Sequence, residues 1–138
     1  MPGEVGKPVA AERAEALFAA LGRHVAWVGD APGLVLGRIV AQLVNEAAFA
    51  VGEGVGAPAD VDAGMVLGLN HPRGPLAWGD RIGLDHVLGV LDGLWEERRE
   101  ERHRAAPLLR RLVLEGDLGV TTGRGFLAYA DDDEGVLP

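Results

Sequence analysis

The chain has 138 residues, of which 48% are hydrophobic and 25% charged, a net charge of −8 and no cysteine. The length fits one domain with one buried core, and the missing cysteines exclude disulfides, thiolate catalysis and iron–sulfur clusters. The negative charge argues against binding to a nucleic-acid backbone. No apolar run approaches the roughly 20 residues that span a bilayer, so no membrane partner is expected.

The first predicted elements are a helix and a short strand. Residues 8–21 alternate apolar and charged side chains at helical spacing, and Gly22 follows as a stop. Residues 24–28, rich in Val and Trp, predict a strand bounded by the turn at 29–33. We assign residues 1–30 to this connector and predict that Trp27, on the strand, is a core or interface anchor.

The clearest helix is predicted over residues 34–53, where one apolar stripe recurs every three or four residues. A polar stripe, Arg38, Gln42, Asn45 and Glu46, lies beside it. Asn45 and Glu46 fit either a general base pair in a cleft or, as we favour, a buried polar edge satisfied by Arg38 or by a helix terminus.

The rest of the chain predicts further short helices. Three of them cover residues 58–68, 76–81 and 108–115, and a longer one begins at 84 and runs into the charged run at 96–102. An extended tail and an acidic end at 131–138 follow. Trp78 and Trp95 are predicted to be core or interface anchors. The charged run favours an exposed helix end with ion pairs, which leaves His103 solvated. The predicted fold is an all-α bundle of about five or six helices with one short N-terminal strand.

Few residues in the chain could perform catalysis unaided. There is no serine, and Thr121 and Thr122 are the only aliphatic hydroxyl groups, so a Ser-His-Asp site is excluded. The dispersed histidines lack metal-ligand spacing, and no metal site is predicted. Residues 52–56 are rich in glycine but lie between two predicted helices, which is a poor context for binding a dinucleotide. The first seven residues resemble no secretory signal, so we expect a cytoplasmic location.

Six ordered motifs together resemble one family. They are residues 30–39, 45–48, 60–62, 67–76, 80–85 and 122–126. Over roughly residues 10–129 the chain resembles the C-terminal helical domain of 3-hydroxyacyl-CoA dehydrogenases. It is especially similar to the second copy in tandem bacterial 3-hydroxybutyryl-CoA dehydrogenases, in which sequences like 72–78, 100–104 and 107–110 are typical. Residues 31–130 are assigned to this domain.

The resemblance implies that catalysis and substrate enclosure belong to two different domains. In that family a Rossmann domain binds NAD and supplies the catalytic His and Glu, while the helical domain closes the acyl-CoA cleft and forms the dimer contact. The chain contains no Rossmann motif, so any NAD would be bound by a separate domain. The family's catalytic asparagine matches Gly37, which has no side chain, and Arg38 follows it. No catalytic or cofactor-binding residue is therefore assigned.

Three residues remain candidates for contact with an acyl-CoA: Arg38, His71 and Arg73. The alternative for His71 and Arg73, which we favour, is that the Pro-Arg-Gly-Pro corner fixes the packing of two helices. Two functions stay open. One is a non-catalytic assembly domain that homodimerises or docks on an NAD-binding domain, and the other is the substrate-cleft half of a split or truncated dehydrogenase.

Overall fold

A computed structural model describes residues 8–130 of the chain. Within these residues the fold consists of six α-helices and two 3-10 turns, Glu101–His103 and Val120–Thr122. The helices are α1 Val9–Ala20, α2 Leu36–Gly52, α3 Pro58–Leu69, α4 Pro75–Ile82, α5 Leu84–Arg98 and α6 Pro107–Glu115. The all-α prediction is confirmed, and the acidic end at 131–138 lies outside the described residues.

Proline and left-handed residues set most of the helix boundaries. Pro58, Pro75 and Pro107 each occupy the first position of a helix, where a missing N–H has no cost. Asn70 and Gly116 end α3 and α6 with positive φ angles of 55° and 80°. These are local signals, and the predicted boundaries of these helices therefore lie close to the observed ones.

The predicted N-terminal strand is wrong. Residues 24–28 form no strand, and the β-type pairings within residues 8–130 are two isolated bridges, which join Arg124 to Gly119 and to Ala128. Strand propensity produces a strand only where a neighbouring edge accepts its hydrogen bonds. Trp27 does not lie in the core, because 57% of it is exposed, and its Nε1 donates to Glu15 Oε1 over 2.6 Å. Its role as an interface anchor stays a prediction.

Helix α2 lies at the centre of the bundle and packs against α3, α4, α5 and α6. Its buried residues include Val40, Ala41, Val44, Ala47 and Ala48. They meet fully buried leucines from the surrounding helices, Leu76, Leu84, Leu91 and Leu109. The bundle thus surrounds α2 with one continuous core.

Two surfaces lie outside this core. Helix α1 buries no residue, although its sequence is amphipathic. The charged run at 96–102, which begins in the last turn of α5, is an exposed set of local ion pairs, such as Arg99 with Glu96 and Arg102 with Glu100, as predicted. Within residues 8–130, no helix combines the length and apolar character needed to cross a membrane.

Candidate functional site

The first predicted site residues, Gly37 and Arg38, lie in the first turn of α2. Gly37 is exposed, and a Cβ added to it would meet no atom within 4 Å. Arg38 is half-buried, and its guanidinium takes part in no ion pair with a described residue. It lines a groove of about 410 Å³ together with Ile39, Gln42, Leu43, Glu46, Arg102 and His103.

His103 is buried in this groove, so its predicted solvation is wrong. Only 1% of the residue is exposed. Gln42 Nε2 lies 2.9 Å from the Arg102 carbonyl oxygen and 2.7 Å from His103 Nδ1. Since that carbonyl can only accept, Nε2 is the amide nitrogen and His103 Nδ1 accepts its second proton. The neutral imidazole therefore carries its proton on Nε2, which is buried without a partner.

The environment of His103 favours the neutral ring. Burial lowers its pKa, and the nearby positive charges of Arg102 and Arg38 lower it further. The 3-10 turn places the His103 ring against α2. The charged residues that neighbour His103 in the sequence did not indicate this position. We attribute the position to the amide of Gln42, one turn beyond Arg38, which bonds both the turn and the ring.

Asn45 is a structural residue one turn further along α2. Its Nδ2 donates to the Arg104 carbonyl oxygen over 2.8 Å, and its Oδ1 accepts from Ala106 N over 2.7 Å. Ala106 caps α6, so Asn45 is satisfied by a helix terminus, which is one of the two partners expected for it. Glu46 is exposed, and its assignment to a buried edge is wrong.

His71 and Arg73 lie in the loop between α3 and α4. The His71 ring lies 6.4 Å from the Trp78 ring at 57°, and its Nδ1 is buried without a partner. Arg73 lines a pocket of about 250 Å³ that also contains Ala77, Arg81, Val120, Leu127 and Tyr129. The structure therefore does not place Arg38 and Arg73 in one cleft.

Two buried carboxylates, whose roles the sequence did not reveal, fix the loops around the Arg73 pocket. Asp62 accepts from Leu76 N and Ala77 N over 2.8 Å each, at the start of α4. A Cβ on Gly74 would lie 2.1 Å from Asp62 Cγ, so the glycine in this corner is required for the contact. The sequence signal for Asp62 was only its favourable position in the first turn of α3.

Asp80 fixes the C-terminal segment in the same way. Its carboxylate accepts from Phe126 N, Leu127 N and the Tyr129 hydroxyl, each over 2.9 Å. Burial raises the pKa of Asp80, and the three hydrogen bonds oppose that rise. Burial and the Asp80 carboxylate also raise the pKa of Tyr129. A Cβ on Gly125 would lie 2.1 Å from Asp80 Oδ1, so this segment passes directly over the carboxylate.

These polar groups hold loops in place. Asp62, Asp80 and Asn45 have their acceptor atoms engaged by backbone or tyrosine donors, and none lies in an open cleft with a nucleophile. The glycine-rich stretch 52–56 connects α2 to α3, so it lacks the strand-to-helix geometry that cradles a dinucleotide. The described residues define a helical domain in which a long central helix is surrounded by shorter ones and arginines line separate pockets.

Comparison with known families identifies this domain. The family described as 3-hydroxyacyl-CoA dehydrogenase, C-terminal domain, matches residues 33–129. The chain belongs to that family. The match covers α2 through the segment held by Asp80 and excludes α1.

Several relatives are dehydrogenases much longer than this chain. A probable 3-hydroxybutyryl-CoA dehydrogenase of Bacillus subtilis is 42% identical over 116 residues, which are 84% of this chain and 40% of that protein. The crystal structure of (S)-3-hydroxybutyryl-CoA dehydrogenase from Ralstonia eutropha has a TM-score of 0.84 and 41% identity, covering 94% of this chain and 46% of its own. An Escherichia coli 3-hydroxybutyryl-CoA dehydrogenase structure has a TM-score of 0.81 and 27% identity, covering 98% and 29%. The chain thus spans less than half the length of these relatives.

Proposed function

We propose that the chain is a non-catalytic dimerisation or assembly domain of a 3-hydroxyacyl-CoA dehydrogenase system, acting in the cytoplasm. The observation that carries the proposal is a concentration of exposed large hydrophobic residues between α1 and the start of α2, which we call the apolar surface. Of fifteen exposed large hydrophobic residues within 8–130, ten lie in this stretch. They are Val9, Leu17, Phe18, Leu21, Trp27, Val28, Leu34, Val35, Leu36 and Ile39.

This surface differs from ordinary scattered exposure. Single exposed apolar residues are common on any protein, whereas a concentration of them in one segment favours an interaction site. Leu36 and Ile39 continue the apolar side of α2 beyond the part that the core covers, with exposures of 75% and 55%. A second copy of the chain that covers this surface would remove its apolar atoms from water, a gain of roughly 25 cal/mol per Å².

Light scattering across about 1–100 µM protein tests the homodimer. The chain should elute and scatter as a dimer, and Leu36→Glu should shift it to monomer because a charge would be trapped in the contact. Leu114→Glu is the matched control, since Leu114 is 82% exposed on α6, outside the apolar surface. A wild-type chain that stays monomeric throughout, or a Leu36 variant as dimeric as the control, contradicts the homodimer.

A second candidate is the substrate-cleft half of a split or truncated NAD-dependent 3-hydroxyacyl-CoA dehydrogenase. Its support is that Arg38 and Arg73 each line an open pocket without an ion pair among the described residues, and guanidinium groups suit the phosphates of an acyl-CoA. His71, packed on Trp78, would hold the Arg73 loop in position. NAD would be bound by a separate domain.

Calorimetric titration with acetoacetyl-CoA distinguishes this candidate. Binding that weakens about tenfold in Arg38→Met and in Arg73→Met supports it. Catalytic turnover should appear only after a dehydrogenase NAD-binding domain is added. If no heat of binding is detected at about millimolar ligand, the substrate-cleft role is contradicted and the assembly role is left as the function.

A further inference from the structure

Two arginines that form no ion pair with an acidic residue of the described range 8–130 line the pocket beside Tyr129. Arg73 lies in the loop before α4, and Arg81 lies in the last turn of that helix. Seven other arginines within residues 8–130 form ion pairs with Asp or Glu: Arg98, Arg99, Arg102, Arg104, Arg110, Arg111 and Arg124. Arg73 and Arg81 are among the arginines that form no such pair with a described residue, and they share one pocket in a chain with a net charge of −8.

Two buried carboxylates near Tyr129, Asp62 and Asp80, form no ion pair with these arginines. Asp62 and Asp80 both act electrostatically on Tyr129, which lines the pocket. Each carboxylate, however, has both oxygens engaged by backbone N–H groups. Because those bonds also hold the pocket walls, the arginines stand on a fixed frame that an incoming ligand need not order.

The other walls of the pocket limit what could bind. Ala77, Val120 and Leu127 line the same pocket as the two arginines and contribute apolar surface to it. The volume of about 250 Å³ is below the roughly 300–1,000 Å³ typical of sites for whole drug-sized ligands. The pocket therefore suits a small anion, or the anionic end of a longer molecule with a few methylene groups beside it.

We propose that the pocket between Arg73 and Arg81 is a binding site for an oxyanion group, a carboxylate or a phosphate, carried by a small aliphatic ligand. Guanidinium groups donate paired N–H bonds in the geometry that both oxyanions accept. The proposal goes beyond the assembly role and does not depend on it. It shares only Arg73 with the acyl-CoA alternative.

NMR titration of the arginine Nε–H resonances tests the site on the full chain. The probes are adipate, inorganic phosphate and the uncharged 1,6-hexanediol. We expect saturable shifts of the Arg73 and Arg81 signals with a Kd near about 1 mM for at least one anion, and none with the diol. Saturation by adipate and not phosphate identifies a carboxylate ligand, and the reverse identifies a phosphate.

Variants separate this site from general attraction of anions. Arg73→Met and Arg81→Met should each weaken binding about tenfold, and Arg73→Lys should weaken it less because the charge remains. Arg23→Met is the matched control, since Arg23 is an exposed arginine distant in sequence and outside the pocket. Absence of saturation up to about 50 mM, or equal weakening in the Arg23 variant, overturns the proposal. Light scattering of the same samples reports on assembly separately.

Discussion

Replacing Asp80 by alanine should destabilise the domain strongly at neutral pH. The change removes the acceptors of Phe126 N, Leu127 N and the Tyr129 hydroxyl. The Phe126 N–H is buried, and an unsatisfied buried donor costs about 1–3 kcal/mol. The other two donors are partly buried and would lose about 1 kcal/mol each as water replaces the carboxylate. The expected loss in the free energy of unfolding is about 3–5 kcal/mol.

Urea unfolding followed by tryptophan fluorescence measures this loss by linear extrapolation. Asp30→Ala is the control, because Asp30 is exposed and should change the stability by less than about 0.5 kcal/mol. A loss below about 1 kcal/mol in the Asp80 variant would mean that residues 126–129 are not held by this carboxylate.

The pH dependence gives the same experiment a second readout. Because the pKa of Asp80 is raised in the folded state, the native chain binds this proton more tightly than the unfolded chain. Its contribution to stability is therefore present at low pH and is lost as the pH rises from about 4, the unfolded value, through the folded pKa. Asp80→Asn should remove that part of the slope. An unchanged slope in this variant would contradict the assigned direction.

Three further results are expected. Burial lowers the pKa of His103 in the folded chain, so its contribution to stability is lost as the pH falls below about 6.5 toward the folded pKa. Urea midpoints measured at two pH values should therefore fall less with decreasing pH in His103→Gln than in the wild-type chain. Gly74→Ala should lower the thermal midpoint by several degrees because its Cβ meets Asp62, whereas Gly64→Ala, with open space in α3, should raise it slightly. Gly37→Asn should fold with unchanged stability to within about 0.5 kcal/mol by urea unfolding; a larger loss would contradict the open space around Gly37.

The helices were predictable because their signals are local. Periodic apolar residues, prolines at first turns and left-handed residues at helix ends depend on neighbours within a few positions. Residues 24–28 have strand propensity but no pairing edge, so the same kind of local evidence failed there. The resemblance of six ordered motifs identified the family, which the match over residues 33–129 confirms.

The sequence by itself determined the helical class, the family and the missing side chain at Gly37, since each follows from residue types and their spacing along the chain. Only the tertiary structure decided that His103 is buried, that Asp62 and Asp80 hold distant loops, and that Arg73 shares a pocket with Arg81 instead of Arg38. The partners of Asp80 lie up to 49 positions away, and such contacts depend on how α4 and the C-terminal segment pack together. No spacing within one helix can encode them.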